Sequence, residues 1–141
     1  MVALEEKDRM TIGHTNRVTH YAKQLAKKTG LPARDCQAVA RASQLHDIGK
    51  LVIDSSYIHK VGPLTDNEWN AIKKHPETGA AILAPLGFLQ REKIIVHQHH
   101  EWFDGTGYPD GIKGMEIDLL ARIVTIADSY DAMTSAVPAL I

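Results

Sequence analysis

Gln44-Leu45-His46-Asp47-Ile48-Gly49-Lys50 closes a run of helical periodicity and sets an imidazole, a carboxylate and a lysine within five positions. A carboxylate has two oxygens and can bridge two metal ions, whereas a neutral imidazole binds one through a ring nitrogen. A lone His-Asp pair is equally well a buried hydrogen-bonded couple, so its meaning depends on the flanks. Upstream, Pro32 suits the first turn of a helix through Ala38, Ala42 and Leu45 to His46-Asp47. The small residues Ala38, Ala40, Ala42 and Ser43 allow a neighbouring helix to come close. Ile48-Gly49-Lys50 then breaks the period.

Further out, Val18, Tyr21, Ala22 and Leu25 recur at helical spacing, and His14 falls on the same stripe. Gly30 suits the C-terminal cap, with Lys27 and Lys28 in the last turn where the helix dipole favours cations. His20 falls off the stripe and faces solvent. Downstream, Leu51 to Pro63 reads as an irregular crossing with His59 at the surface. Thr65-Asp66-Asn67-Glu68 is a capping box that opens a helix through Trp69 and Ile72. That helix reaches His75, and Pro76 disfavours helical geometry there, making His75 a boundary. Ala80 to Leu83 forms a short helix ended by Pro85-Leu86-Gly87. Leu89 to His100 forms another, finishing in His97-Gln98-His99-His100-Glu101. Asp104 to Gly111 holds three glycines and a proline, which makes a loop. In the last helix, Leu119 to Met133, the residues Leu120, Ile123, Val124, Ala127 and Tyr130 point inward, and Asp128 follows Val124 by one turn. No sustained period-2 alternation occurs, so the fold class is all-α.

The bulk properties set limits. A chain of 141 residues makes one domain, 1–141, long enough to bury about two-thirds of its unfolded surface. A hydrophobic fraction of 44% with 23% charged residues argues against wholesale disorder. Formal net charge is −1, which provides no basic face for duplex nucleic acid. The single Cys36 rules out an intrachain disulfide and suits a reducing cytoplasm. Met1 to Met10 is charged and unlike a signal peptide. The longest mostly apolar run, Gly79 to Phe88, is too short to span a bilayer. A cytoplasmic location is the expectation.

Inward stripes, or helix ends feeding one centre, carry His14, His46, Asp47, His75, His99, His100 and Asp128. Five imidazoles and two carboxylates exceed the needs of one ion and suit two octahedral cations of the Mn or Fe kind. A cysteine-free set argues against structural zinc. His99 and His100 are about 100° apart on an ideal helix, so both can face one centre only at a frayed end, which the glycine-rich loop permits. Singly, the His99-His100 pair is also a solvated helix terminus and Asp128 a cap. Jointly, surface residues would not fall repeatedly on core-facing stripes.

These residues resemble the HD-GYP family, a branch of the HD-domain metal-dependent phosphohydrolases. The resemblance rests on Gly13-His14, His46-Asp47-Ile48-Gly49-Lys50 and His75-Pro76-Glu77-Thr78-Gly79. It continues through His99-His100-Glu101 with Asp104-Gly105-Thr106-Gly107-Tyr108-Pro109, then Arg122-Ile123 and Ala127-Asp128 to Asp131-Ala132-Met133-Thr134. It runs in the family's order over about residues 13–134. It implies a compact multi-helix bundle around a central two-metal site and hydrolysis of cyclic di-GMP to linear pGpG or GMP. It assigns His14, His46, Asp47 and Asp128 to one metal and His75, His99 and His100 to the other, with Asp47 as bridge. The metals it implies are Fe or Mn, with Ni, Zn or Mg as substitutes in preparation. Two such ions can activate a hydroxide and clamp an in-line displacement at phosphorus. Lys50 would offset charge on a phosphate oxygen in the transition state. Gly107-Tyr108-Pro109 would lie close to the site and contact partner diguanylate cyclase domains, or serve only as a structural turn. Glu101 and Asp104 are candidates to orient the histidines. Arg122 reads as a structural ion-pair partner.

Two departures from the family pattern stand out. Some members carry a Glu four residues before the first His and bind a third metal; here the position is Met10, so two metals are expected. After Thr134-Ser135 the family continues with basic residues that hold substrate, whereas this chain reads Ala136-Val137-Pro138-Ala139-Leu140-Ile141. The stretch read here does not include the family's closing helices, as in a domain trimmed from a larger regulator or a short form with weakened substrate capture; without them a homodimer would cover the exposed apolar surface. Loss of an arginine at a phosphate costs about 1.5–3 kcal/mol of charge-assisted hydrogen bonding. Three alternatives to a cyclic di-GMP phosphodiesterase therefore stay open. They are a weakly catalytic module that binds nucleotide or a partner cyclase, a hydrolase of another phosphoester, and, more distantly, a di-iron redox enzyme.

Overall fold

Ala22 and Ala26 on α1 (Val2–Lys28) and Ala38 and Ala42 on α2 (Ala33–Leu45) are buried in one cluster with Val18 and Val39. Their short side chains let the first two helices pack closely, as the run of small residues implied. Gly30, at φ +82°, ends α1, and the Leu31 N–H donates to the Ala26 carbonyl at 3.2 Å. The computed structural model describes residues 2–135, with side chains from Thr11 onward. Helix α1 begins at Val2, well before the stripe that starts at His14. The Met10 side chain and the segment Ala136–Ile141, where the sequence leaves the family pattern, lie outside the described residues.

Beyond α2 come a 3-10 turn over Ile48–Val52, the short α3 (Ser55–Ile58), α4 (Asp66–Ile72), α5 (His75–Leu83), α6 (Gln90–Gln98) and α7 (Leu119–Thr134). No strand occurs among the described residues, and the all-α class follows. The Thr65–Glu68 capping box forms as expected, each partner 3.2 Å from the other's backbone N–H. Helix α7 packs on α1 and α2 through Leu120, Ala121, Ile123, Val124 and Ala127, and Cys36 packs there as a small apolar residue. Tyr130, expected inside, is half-exposed at the flank of that stripe and meets Tyr21 edge-on at 5.0 Å. No helix among the described residues is long and apolar enough to cross a membrane.

A pair of glycines positions the central motif. A Cβ at Gly49 would collide with the His75 carbonyl oxygen and lie 2.7 Å from the Gly79 nitrogen. A Cβ at Gly79 would come within 2.8 Å of Val96. Glycine at both places lets the turn after Asp47 rest on the backbone of α5, so His46-Asp47 arrives beside His75. Gly49→Ala is therefore expected to destabilise the chain by about 1–3 kcal/mol or more, because backbone rather than a flexible side chain must move. Gly87→Ala, where nothing lies within 4 Å, should change stability by less than about 0.5 kcal/mol. Urea unfolding of the two variants checks the contrast.

Candidate metal centre

Helix ends converge on one buried cluster. His46 caps the C-terminus of α2, with Asp47 next to it. His75 opens α5, and His99 caps α6 with His100 just beyond. His14 and Asp128 come from inside α1 and α7. The five histidines and Asp128 are buried.

The orientation of the rings follows from local hydrogen bonds. Nδ1 of His46, His75 and His99 lies 2.5, 2.7 and 2.6 Å from the carbonyls of Ser43, Ile72 and Val96, each three residues back. A carbonyl only accepts, so each Nδ1 carries a proton and each Nε2 is turned to the centre. The last turn of a helix has carbonyls without helical partners, which is why histidines at these ends can be held so. Thr125 Oγ1 adds a 2.7 Å bond to the His99 carbonyl.

Two triads result. His75, His99 and His100 bring ligand atoms within 4.8 Å of one another, as do His14, His46 and Asp128. Asp47 lies between them: Oδ1 is 3.3 Å from His75 Nε2, and Oδ2 is 3.2 Å from His46 Nε2. His14 Nε2 and Asp128 Oδ1 are 2.9 Å apart. Lys50 Nζ stands 3.3 Å from Asp47 Oδ2.

The cluster fits cations. His75 and His99 face each other through Nε2 atoms 3.2 Å apart, an arrangement of opposed lone pairs that a positive ion relieves. His46 Nε2 is buried with no well-aligned hydrogen bond. Burial, with neighbouring imidazoles, holds His99 well below the ordinary histidine range and His100 down to about 3, so both are neutral and able to take a cation. Burial alone would raise Asp47, but His46 and Lys50 outweigh it and keep the carboxyl well below its usual range. Nitrogen and carboxylate donors of this kind suit divalent transition metals.

Gly107-Tyr108-Pro109 lies against this cluster. The Tyr108 ring stacks on His100 at 5.0 Å and 16°, its N–H donates to the His100 carbonyl at 3.0 Å, and its hydroxyl is buried without a hydrogen bond. A Cβ at Gly107 would strike the His100 carbonyl, so the loop's close approach requires glycine. Glu101 and Asp104 correct the sequence expectation, because their hydrogen bonds go elsewhere. Buried Glu101 accepts from the amides of Asp110 and Gly111 at 2.8 and 2.9 Å and so clamps the loop. Exposed Asp104 folds back on Thr106. The orienting role expected of them falls to backbone carbonyls. Arg122 has Met115 Sδ at 3.7 Å where a carboxylate was expected. Asp131 was not foreseen as a site residue: its Oδ2 is 2.6 Å from His14 Nδ1. The signal was one turn's spacing, Asp128 to Asp131 on α7 opposite His14 to Arg17 on α1.

A pH dependence follows. Burial lowers His46, yet the charge of Asp47, with help from Asp128 and the Ser43 carbonyl, raises it to about 9. Below that pH a cation must displace the His46 proton, so apparent affinity at this triad should fall as pH falls, by about tenfold per unit for one proton. Calorimetric titration of Mn²⁺ into metal-free chain, in buffers of different ionisation enthalpy at pH 7 and pH 9, counts the protons released.

Comparison with known proteins agrees with this geometry. A family model described as an HD domain matches residues 1–140. The cyclic di-GMP phosphodiesterase response regulator RpfG of Xanthomonas campestris pv. campestris is 41% identical over 138 residues, covering 96% of this chain and 36% of that protein. The 3′3′-cGAMP-specific phosphodiesterase 2 of Vibrio cholerae is 40% identical over 133 residues, 93% of this chain and 26% of that protein. The chain thus spans about a third or less of either relative's length. Bd1817, an HDG"Y"P protein from Bdellovibrio bacteriovorus, superposes with a TM-score of 0.73 at 28% identity, covering 84% of this chain and 39% of that one. The chain belongs to the HD domain family, in its HD-GYP branch.

Proposed function

We propose that this chain is a metal-dependent phosphodiesterase domain that hydrolyses a cyclic dinucleotide, cyclic di-GMP, to pGpG or GMP. One observation carries the proposal: Asp47 directs one oxygen toward each histidine-containing triad, at 3.3 and 3.2 Å. In this proposal His14, His46, Asp47 and Asp128 hold one cation, and His75, His99 and His100 the other, with Asp47 shared. Two cations of the Fe or Mn kind supply Lewis-acid charge and make the attacking water more acidic. The protein's own part is to present neutral imidazoles in fixed orientation and to keep Asp47 ionised. Lys50 donates to a phosphate oxygen as negative charge builds there. Tyr108 packs behind His100 and limits its movement, and the loop it belongs to offers the contact for a diguanylate cyclase domain. A cytoplasmic setting and a homodimer that covers exposed apolar surface complete the proposal.

A second substrate is favoured by a specific observation. The Vibrio cholerae relative named for 3′3′-cGAMP is within one percentage point of identity of the one named for cyclic di-GMP. Both nucleotides therefore belong in the same assay. Mn- or Fe-loaded chain incubated with each should yield linear dinucleotide or mononucleotide. Cleavage of 3′3′-cGAMP alone would transfer the assignment to that substrate, and binding without product from either in every metal form would leave a binding module.

Two variants test the roles of the central motif. Asp47→Ala should empty both cation positions, because the shared ligand is lost; full metal content in this variant would contradict the bridge. Lys50→Met should keep both metals while kcat drops by about 10²–10³-fold, the scale for removing one transition-state donor. Atomic emission and steady-state kinetics on the same preparations separate the two effects.

A further inference from the structure

His14 differs from His46, His75 and His99 in how its second ring nitrogen is held. Those three lie at helix ends and use backbone carbonyls three residues back. His14 lies inside α1, where the carbonyls are engaged in the helix, and its Nδ1 instead meets Asp131 Oδ2 at 2.6 Å. Asp131 is only 1% exposed. Its Oδ1 accepts from Arg17 Nε at 2.5 Å and its Oδ2 from Arg17 Nη2 at 3.3 Å. Arg17 is one turn past His14, and Asp131 one turn past Asp128, so α1 and α7 cross with a ligand and its support on each.

We propose that Asp131, held in place by Arg17, is a positioning residue that fixes the tautomer of His14 and so sets the affinity of the His14/His46/Asp128 group alone. The proposal rests on the two-cation function proposed above. Its logic is that of donors and acceptors. A guanidinium only donates and a carboxylate only accepts, so an Asp between Arg17 and His14 leaves Nδ1 of His14 as the donor. Nδ1 thus keeps its proton, and a cation that displaces the proton Nε2 shares with Asp128 Oδ1, 2.9 Å away, meets the lone pair it needs there. Asparagine has the same shape but one oxygen and one NH₂. With Arg17 only able to donate, the amide oxygen of an Asn must turn to Arg17, and the NH₂ is left facing Nδ1. Nδ1 must then accept, and the proton moves to Nε2, where it blocks ligation. Steric fit is preserved while the tautomer is reversed.

The test is Mn²⁺ binding to metal-stripped chain by equilibrium dialysis, with far-UV circular dichroism on each variant. Wild type should bind two ions per chain. D131N should weaken one position by about 10–100-fold, the usual range for an orienting partner of a metal-bound histidine, and leave the other unchanged. R17M should lose less than about threefold, because the carboxylate still faces His14. R17M/D131N should recover most of the D131N loss, since the Asn oxygen is then free to turn toward His14. A purely structural role predicts the reverse, a double variant weaker than either single one. Two tight sites in D131N, a loss in R17M as large as in D131N, or no recovery in the double variant overturns the assignment of Asp131. Wild type binding fewer than two ions overturns the two-cation function itself, and this proposal with it. Because dialysis reads affinity and not turnover, an inactive but fully loaded wild type would count against the proposed reaction and leave Asp131 in place.

Discussion

A buried imidazole can serve as a ligand only if its proton is held on the side away from the ion. In this chain that condition is met mostly by backbone. Three histidines stand where a helix ends, and each donates to a carbonyl three residues earlier that the helix itself cannot use. One interaction thus satisfies an orphan acceptor, fixes a ring and chooses a tautomer. The placement of the helix breaks, at His46, His75 and His99, is therefore also the placement of the centre.

Packing brings those breaks together. Alanines at the α1–α2 contact and glycines at the turn after Asp47 remove side-chain bulk where backbones must approach. Gly49 lies so near the His75 carbonyl that no Cβ fits. The same device recurs at Gly107, which lets the Tyr108 ring stack on His100. Electrostatics then divide the centre: burial keeps His99 and His100 neutral, carboxylates raise His14 and His46, and neighbouring cations keep Asp47 ionised between them.

Much of this was legible in the sequence. Helical stripes placed His14 and Asp128 on inward faces because both are in mid-helix, where a 3.6-residue period is reliable. The Thr65–Glu68 box marked the start of α4, and Pro76 the boundary at which His75 sits. What escaped notice involved direction rather than position. Glu101 follows the histidine pair directly, yet the chain turns there and its carboxylate reaches forward to Asp110 and Gly111. Tyr130 shares the apolar character of its neighbours but sits at the edge of the stripe, where one partner, Tyr21, is within reach. Asp131 needed knowledge that α1 and α7 cross at His14, a contact between residues 117 positions apart, because the one-turn spacing to Asp128 gains meaning only once the two helices are paired.

The two triads differ in how far along the chain they reach. His75 and His99 are 24 positions apart, while His14 and its support Asp131 are 117 apart. A polypeptide emerging from the ribosome exposes the compact group as soon as α6 is made, and the other stays incomplete until α7 has been synthesised and laid across α1. If the two triads hold cations as proposed, the inner position can fill before α7 exists, and the outer one only once α1 and α7 have met.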